Sequence, residues 1–179
     1  LVDAGVQSPL CRGVLALTDQ DQINLTVSTN VKILAPQTLV YSRSDSDANT
    51  RNLRSFDTEV VIDPFRIATR KVIQFIQKPN AFSLYQELVD PELNHIEAIP
   101  IAKPGHWIVC ASGRLADLLC EAMIRYDVSF VLVSERSTCD LMADQWVRGC
   151  GTEAHTLREA RIDDAAGILA ATDDDGSCD

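Results

Sequence analysis

Short apolar runs alternate with longer amphipathic stretches along the chain. The runs are rich in Val and Ile and predict strands, whereas apolar residues spaced three or four apart predict helices. The predicted strands are 38–42, 60–62, 106–110, 130–133 and 145–148, and the predicted helices are 24–34, 50–56, 65–77, 81–89, 115–125, 138–143 and 153–160. Thr152 is expected to cap the last helix. This alternation indicates βαβ units, so we predict an α/β fold with a mainly parallel sheet.

One segment of the sequence occurs twice. Residues 13–21 (GVLALTDQD) are similar to residues 167–175 (GILAATDDD), and the six residues from Leu1 resemble the six from Leu157. Each copy predicts a helix end, a short turn, a buried strand and an acidic strand end. The copies lie too far apart for a solenoid and indicate a repeated domain.

The repeat divides the chain into two complementary half-domains. We expect 1–79 to be the C-terminal half of one domain and 106–179 the N-terminal half of the next, joined by a linker at 80–105 that contains three prolines. Together the two half-domains contain all the strands of a Rossmann sheet. The sheet is completed either within one chain, in permuted order, or by swapping strands between two chains. One copy of the repeated strand is then surplus or pairs at an interface, which predicts an oligomer, most simply a dimer.

A short loop after the predicted strand 106–110 carries the clearest chemical signal. A Rossmann fingerprint needs a strand, a glycine-rich turn and a helix whose free N–H groups face phosphates. Residues 111–116 (ASGRLA) retain only the central Gly113, with Ala116 as a tolerated small residue at the third position. Ala111 takes the first position, where a turn that needs positive φ would cost about 1 kcal/mol.

An acidic residue at the end of the next strand is the second part of that fingerprint, because it binds the ribose hydroxyls. The expected position falls on Ser134, and Glu135 follows one residue later. Glu135 serves this role if the strand end shifts by one residue; otherwise it is a solvated surface charge. Both interpretations stay open.

The overall charge narrows the classes of partner. The 16 basic and 26 acidic residues give a formal net charge of -10, which disfavours nucleic acid and anionic membrane surfaces as partners. No apolar run approaches the roughly 20 residues that span a bilayer, and no signal-peptide pattern is found. The absence of an initiator Met before Leu1 suggests an excised or processed segment.

The cysteines indicate an intracellular protein without a metal site. All six are scattered with no CxxC pair, and the three histidines are not clustered with them, so no metal is predicted. We expect reduced, buried or half-buried thiols and no disulfide.

The motifs together resemble the regulator-of-potassium-conductance (RCK) family, also described as KTN or Trk-type NAD-binding domains. Residues 105–116 (GHWIVCASGRLA) are similar to its GH-x-I-x-C-G-x-G-R-x-G, and 151–160 (GTEAHTLREA) to its G-D-x-T-x-x-x-x-L-x-x-A. Residues 167–175 are similar to its strand ending in T-D-D-D, and 18–64 resemble the complementary portion of the same domain. The resemblance implies a Rossmann-like three-layer αβα fold built from two complementary half-domains.

The resemblance also implies a function. Such domains assemble as homo-oligomers beneath a membrane pore domain and bias gating by binding NAD(H), adenine nucleotides or ions. It therefore predicts a cytoplasmic, non-catalytic, nucleotide-sensing segment of a potassium channel or transporter. Gly113 and Arg114, with Ser112 beside them, would lie against the phosphates, and Cys150 occupies the position of an adenine-side Asp. The replaced glycines and Gly-Asp pair predict weak or absent binding at this loop.

The ends of the repeated strands complete the candidate site. By resemblance, Thr172 and Asp173, and their counterparts Thr18 and Asp19, line the crevice at the strand ends. Helix N-capping by an Asp of this run is the structural alternative.

Two other functions compete with nucleotide sensing. One is a ligand-free assembly scaffold with a degenerate nucleotide site. The other is an NAD-dependent oxidoreductase, which is disfavoured because no Tyr-x-x-x-Lys pair is present, His155 lies on a predicted surface helix and His106 begins a strand.

Overall fold

The computed structural model describes residues 1–89, 103–135 and 141–171. Its strands are β1 (Val14–Ala16), β2 (Val40–Arg43), β3 (Val60–Ile62), β4 (His106–Ala111), β5 (Phe130–Val133), β6 (Trp146–Val147) and β7 (Ala165–Ala171). Its helices are α1 (Asp21–Leu34), α2 (Asp47–Ser55), α3 (Pro64–Gln77), α4 (Pro79–Val89), α5 (Gly113–Arg125) and α6 (Ala154–Glu159). Every strand pair is parallel, which confirms the predicted α/β class.

The chain forms two compact units, one from Leu1 to Ile67 and one from Ala68 onward. The boundary falls inside α3, because the apolar residues of its second half, including Ile73, belong to the core of the second unit. Part of the segment expected to link two half-domains is helix α4. The half-domain limits of 1–79, 80–105 and 106–179 stay a prediction.

The first unit is a three-stranded sheet in the order β1-β2-β3. Helix α1 packs on one face, where Val31 and Val40 are fully buried and Val6 joins them from the N-terminal turns. The connection between each pair of neighbouring parallel strands contains a helix, α1 or α2, so the unit consists of two βαβ motifs. The first copy of the repeat thus enters β1 from turns at Leu1–Val6, not from the helix end that the sequence predicted.

The opposite face of this sheet is exposed to solvent. Leu15, Tyr41 and Val60 lie directly opposite one another in the register, and they are 68%, 36% and 38% exposed. Leu17 and Leu39 beside them are also exposed. The prediction of a buried strand in the first copy of the repeat is therefore wrong for one face of β1, because only the face under α1 is covered.

The second unit is a four-stranded sheet in the order β6-β5-β4-β7, with β4 buried at its centre. One face packs against α5 and the second half of α3 through a core that includes Val109, Leu119 and Met123. The other face packs against α6 through a core that includes Ile108 and Val131. Residues that alternate along β4 therefore enter opposite cores, which produces the three-layer αβα arrangement.

Strand β7 forms the outer edge of this sheet. Its residue Gly167 pairs with Trp107, and a Cβ at Gly167 would lie 2.6 Å from the indole ring. Leu169 and Ala171 pack against the core under α5, whereas Ile168 on the other face is 46% exposed. The second copy of the repeat is also covered on only one face.

Two local predictions are wrong. Residues 141–143 are coil and turn instead of helix, and the rest of the helix predicted at 138–143 lies outside the described residues. The residue that precedes α6 is Glu153, not Thr152, and it makes no side-chain cap hydrogen bond. Apolar spacing alone did not distinguish a turn from one helical turn.

A charged clamp holds the beginning of β2. The Glu59 carboxylate accepts a 2.8 Å hydrogen bond from the backbone N–H of Val40 and pairs with the Lys32 ammonium. Lys32 also donates to the Thr38 carbonyl at 3.0 Å. Burial by itself raises the pKa of Glu59, but the hydrogen bonds from Lys32, from the Val40 N–H and from its own backbone, together with the Lys32 charge, outweigh burial, so the pKa of Glu59 is lowered.

Glu59→Gln is expected to destabilise the protein by on the order of 1 kcal/mol at neutral pH, because it removes a charged acceptor of two donors. The folded pKa lies below the unfolded value of about 4.3, so the contribution of Glu59 is present above that value and is lost as pH falls through the folded pKa. Urea unfolding across acidic pH measures both effects. Asp3→Asn, at an exposed position, is the control. An equal loss of unfolding free energy in the two variants would contradict a stabilising role for the contacts of Glu59 with Lys32 and Val40.

Candidate nucleotide site at the carboxyl end of β4

The loop after β4 joins a buried strand directly to a long helix. Ala111 is the last residue of β4, pairs with Ala171 and is 2% exposed, so it is not at the turn position that would need positive φ. The strain predicted for Ala111 is absent for this reason. The turn is made at Gly113, whose φ is +57° and whose missing Cβ would meet no atom within 4 Å. Ala116 is buried where α5 crosses the sheet, as expected for the third position.

The N-terminus of α5 is open to an anion. Ser112 precedes the helix in extended conformation and makes no side-chain cap hydrogen bond, and the first turn contains no acidic residue. Ser112 and Gly113 are exposed. The first N–H groups of a helix have no partner within it and carry positive partial charge, so this arrangement suits a phosphate group. Arg114 follows at the same helix end.

The loop lies at a change of direction in the strand order. From β4 the chain passes through α5 to β5 on one side, whereas β7 lies on the other side of β4. Ligands of open α/β sheets bind at the carboxyl ends of strands where the order reverses in this way. Thr172 and Asp173 directly follow β7 in the sequence; both lie outside the described residues.

Ser134 and Glu135 follow the neighbouring strand at the same edge. Ser134 is buried, and its carbonyl accepts hydrogen bonds from the indole Nε1 of Trp146 at 3.0 Å and from the N–H of Gly149. Glu135 is exposed. The backbone of Ser134 therefore fixes the end of β6, and both interpretations of Glu135 remain open.

Cys150 comes after β6 in a loop that closes against β4. A Cβ at the adjacent Gly151 would lie 2.7 Å from the Cys110 Sγ, so only glycine allows this approach. Cys150 is buried and disulfide-bonded, which contradicts the prediction of reduced thiols. A disulfide sulfur has no proton, so the Thr152 hydroxyl is the donor in the 3.0 Å contact with Cys150 Sγ.

Thr18 and Asp19 occupy the equivalent edge of the first unit. The Thr18 N–H and hydroxyl both donate to Asn24 Oδ1, at 2.9 and 2.8 Å. Asn24 Nδ2 donates to the carbonyls of Thr18 and Arg43, which joins the ends of β1 and β2. Asn24 is fully buried, so this amide is a structural bridge. Asp19 is exposed.

The acidic run after β1 does not cap α1. Gln20 is the capping residue and makes no side-chain bond, whereas Asp21 accepts hydrogen bonds from the Asp45 N–H and the Ser46 hydroxyl. Arg43 donates twice to Asp45, at 2.9 and 2.6 Å. The hydrogen bonds to Asp45, with the charges of Asp19 and Asp21 nearby, raise the pKa of Arg43.

The candidate residues thus form two groups. Ser112, Gly113, Arg114, Ser134, Glu135 and Cys150 lie at the carboxyl edge of the β4 sheet, and Thr18 and Asp19 lie at the corresponding edge of the first unit. Sequence reasoning missed Asn24, Trp146 and Gly151, which hold these edges in place. A polar residue on the apolar side of α1 was the available signal for Asn24.

Two features are absent from residues 1–89, 103–135 and 141–171. No group of three or more His, Cys, Asp or Glu side chains is arranged to hold a metal ion. No helix within these ranges has the length and hydropathy needed to cross a membrane.

Residues 107–177 match the TrkA-N domain family. The TrkA-N match begins within β4 and includes the Gly113 loop, β5, β6, α6 and β7, so the resemblance predicted from the sequence is confirmed over the second unit. No curated protein matches the chain.

Solved structures agree in fold. The GsuK structure bound to ADP superposes with a TM-score of 0.62 at 22% identity, covering 97% of this chain and 39% of that one. The GsuK RCK domain gives 0.59 at 18% identity with 97% and 52% coverage, and the GsuK channel bound to NAD gives 0.59 at 17% with 92% and 41%. The chain spans about two fifths of the length of the GsuK channel. These identities establish a shared fold.

Gly113→Ala is expected to lower the free energy of unfolding by about 1 kcal/mol, because φ of +57° is unfavourable for a residue with a Cβ. Gly113→Asn should lose less, since Asn tolerates the left-handed region. Urea denaturation of both variants measures the difference. Equal stability of the wild type and Gly113→Ala would show that the turn does not need glycine.

Proposed function

We propose that this chain is a regulatory nucleotide-binding segment from the cytoplasmic part of a potassium channel or transporter. Its ligand is NAD(H) or an adenine nucleotide, bound weakly, with the phosphates at the N-terminus of α5. Regulation then consists of a difference in affinity between two conformations of the parent protein.

The observation that carries this proposal is the uncapped, exposed N-terminus of α5 at the point where the strand order reverses. Gly113 turns the backbone there, and the Ser112 side chain makes no cap hydrogen bond to the helix. Because Ala111 lies in β4 and not in the turn, its replacement of a glycine does not distort the loop. The TrkA-N match and the ADP and NAD complexes of GsuK support the same ligand class.

We further propose that the segment is not an enzyme. His106 Nε2 is engaged with the Ala160 carbonyl at 2.8 Å, so this imidazole is part of the packing. Burial raises the pKa of the Cys110 thiol, which keeps it neutral and unreactive. His155 is exposed on α6, beside Glu153.

Two partners complete the proposal. One is the membrane pore domain of the parent protein, as suggested by the GsuK channel. The other is a second copy of this chain, as the repeat in the sequence predicts.

A matched pair of variants at Gly113 tests the nucleotide site. Gly113→Asp places a carboxylate where the phosphates would bind, and Gly113→Asn has the same shape without the charge. We expect calorimetric titration with NADH, NAD, ATP and ADP to show binding to wild type and Gly113→Asn and at least tenfold weaker binding to Gly113→Asp. Equal affinity of the two variants would place the phosphates elsewhere.

The second candidate is a ligand-free scaffold, favoured by the alterations in the glycine motif. If no nucleotide raises the melting temperature of the wild type, even at millimolar concentration, the scaffold replaces the sensor.

An enzyme would behave differently from both candidates. The protein is incubated with reduced or oxidised nicotinamide cofactor and a panel of alcohols, aldehydes and ketones, and turnover is measured by the absorbance of the cofactor. We expect no turnover. Turnover that is lost on substitution of a residue at the β4 edge would refute the non-catalytic assignment.

A further inference from the structure

Ser134 extends the parallel pairing of β5 with β6 by one residue. Its N–H donates to the Val147 carbonyl at 3.2 Å, and its carbonyl accepts from the Gly149 N–H at 3.4 Å. Two such bonds on either side of one residue are the pattern of a parallel pair, and they continue the register in which Val133 pairs with Val147. Arg148 therefore lies directly opposite Ser134, with the two Cα atoms about 4.8 Å apart.

The pair of Ser134 and Arg148 belongs to the face of the sheet that α5 covers. Side chains along a strand alternate between the two faces, so residues two positions apart share a face. Leu132 and Trp146, two residues earlier in each strand, are part of the core under α5 or pack against it. The pair thus shares a face and an edge of the sheet with Gly113, where α5 begins.

The same hydrogen bonds fix which residue occupies the ribose position. Glu135 would take that position only if β5 shifted by one residue. The two backbone bonds of Ser134, and the 3.0 Å bond from the Trp146 indole to its carbonyl, oppose this shift because all three would break. In the observed register, a neutral serine stands where an acidic residue binds the adenine ribose of NAD.

The charge at this edge favours an additional phosphate. A carboxylate at the ribose position accepts hydrogen bonds from the ribose hydroxyls and repels a phosphate on the 2′-oxygen, whereas a nearby Arg accommodates that phosphate. The guanidinium of Arg148 has the planar geometry that binds phosphate oxygens through two parallel hydrogen bonds. Arg148 is exposed, and it has no ion-pair partner among the residues that the structure describes.

We propose that this site prefers an adenine dinucleotide with a 2′-phosphate on the adenine ribose, NADP(H), to NAD(H). The pyrophosphate lies at the N-terminus of α5, and the Arg148 guanidinium binds the 2′-phosphate beside Ser134. This preference rests on the nucleotide binding proposed above and narrows its ligand class to nucleotides that carry a 2′-phosphate.

Titration of the full chain with NADP and NAD, which differ only in the 2′-phosphate, measures the preference. For the wild type we expect calorimetry to show at least tenfold tighter binding of NADP. Arg148→Gln removes the charge at an exposed position and should lower the ratio of the two affinities about tenfold. Arg125→Gln makes the same change of charge at an exposed position in the last turn of α5, and it should retain the wild-type ratio.

Ser134→Asp and Ser134→Asn test the ribose position itself. The two introduced side chains have the same shape and differ in charge. We expect the Asp variant to bind NAD more tightly than NADP, because its carboxylate repels the 2′-phosphate, and the Asn variant to keep the preference for NADP. Ser134 is buried, so the melting temperature of both variants is measured first. If the Asp variant does not fold, the Arg148 and Arg125 variants decide.

The outcomes separate the preference from nucleotide binding itself. Equal or tighter binding of NAD by the wild type would overturn the preference and leave the nucleotide site in place. An affinity ratio that Arg148→Gln and Arg125→Gln change equally would also overturn it, because the 2′-phosphate would then not be bound at Arg148. If neither nucleotide binds to the wild type, the proposed function and the preference are both wrong.

Discussion

Parallel pairing of β4 with β5 on one edge and β7 on the other is the interaction on which the second unit depends. It buries alternate residues of β4 in two separate cores, as with Val109 toward α5 and Ile108 toward α6. It also brings the carboxyl ends of three strands to one edge, where α5 begins at Gly113. The candidate site follows from this geometry, because the helix N-terminus faces the point where the strand order reverses.

In the first unit, polar contacts hold the carboxyl ends of the strands together. This unit has no second layer of helices. The Asn24 amide joins the ends of β1 and β2, and Asp21 holds the loop after β2 through Asp45 and Ser46. These groups satisfy one another, which is the condition for burying them at low energetic cost. The acidic run after β1 thus has a structural role in this unit, whereas Ser112 before α5 makes no side-chain cap hydrogen bond.

An αβα sandwich is complete only in the second unit. In the first unit, the row of Leu15, Tyr41 and Val60 is exposed, so this sheet has one covered face. Apolar surface of this kind normally meets a partner in a folded protein.

The sequence by itself determined the α/β class, the parallel sheets, most element positions and the segment that matches the TrkA-N family. It could do so because apolar periodicity and the Gly113 loop are local properties. Tertiary structure alone decided that Ala111 lies in a strand, that Gly151 packs on Cys110 and that Asn24 bridges two strand ends. These outcomes depend on contacts between residues distant in sequence. Tertiary structure also decided which face of the repeated strand is buried. The two copies are similar in sequence, but helices pack on opposite faces of them, so opposite faces are exposed.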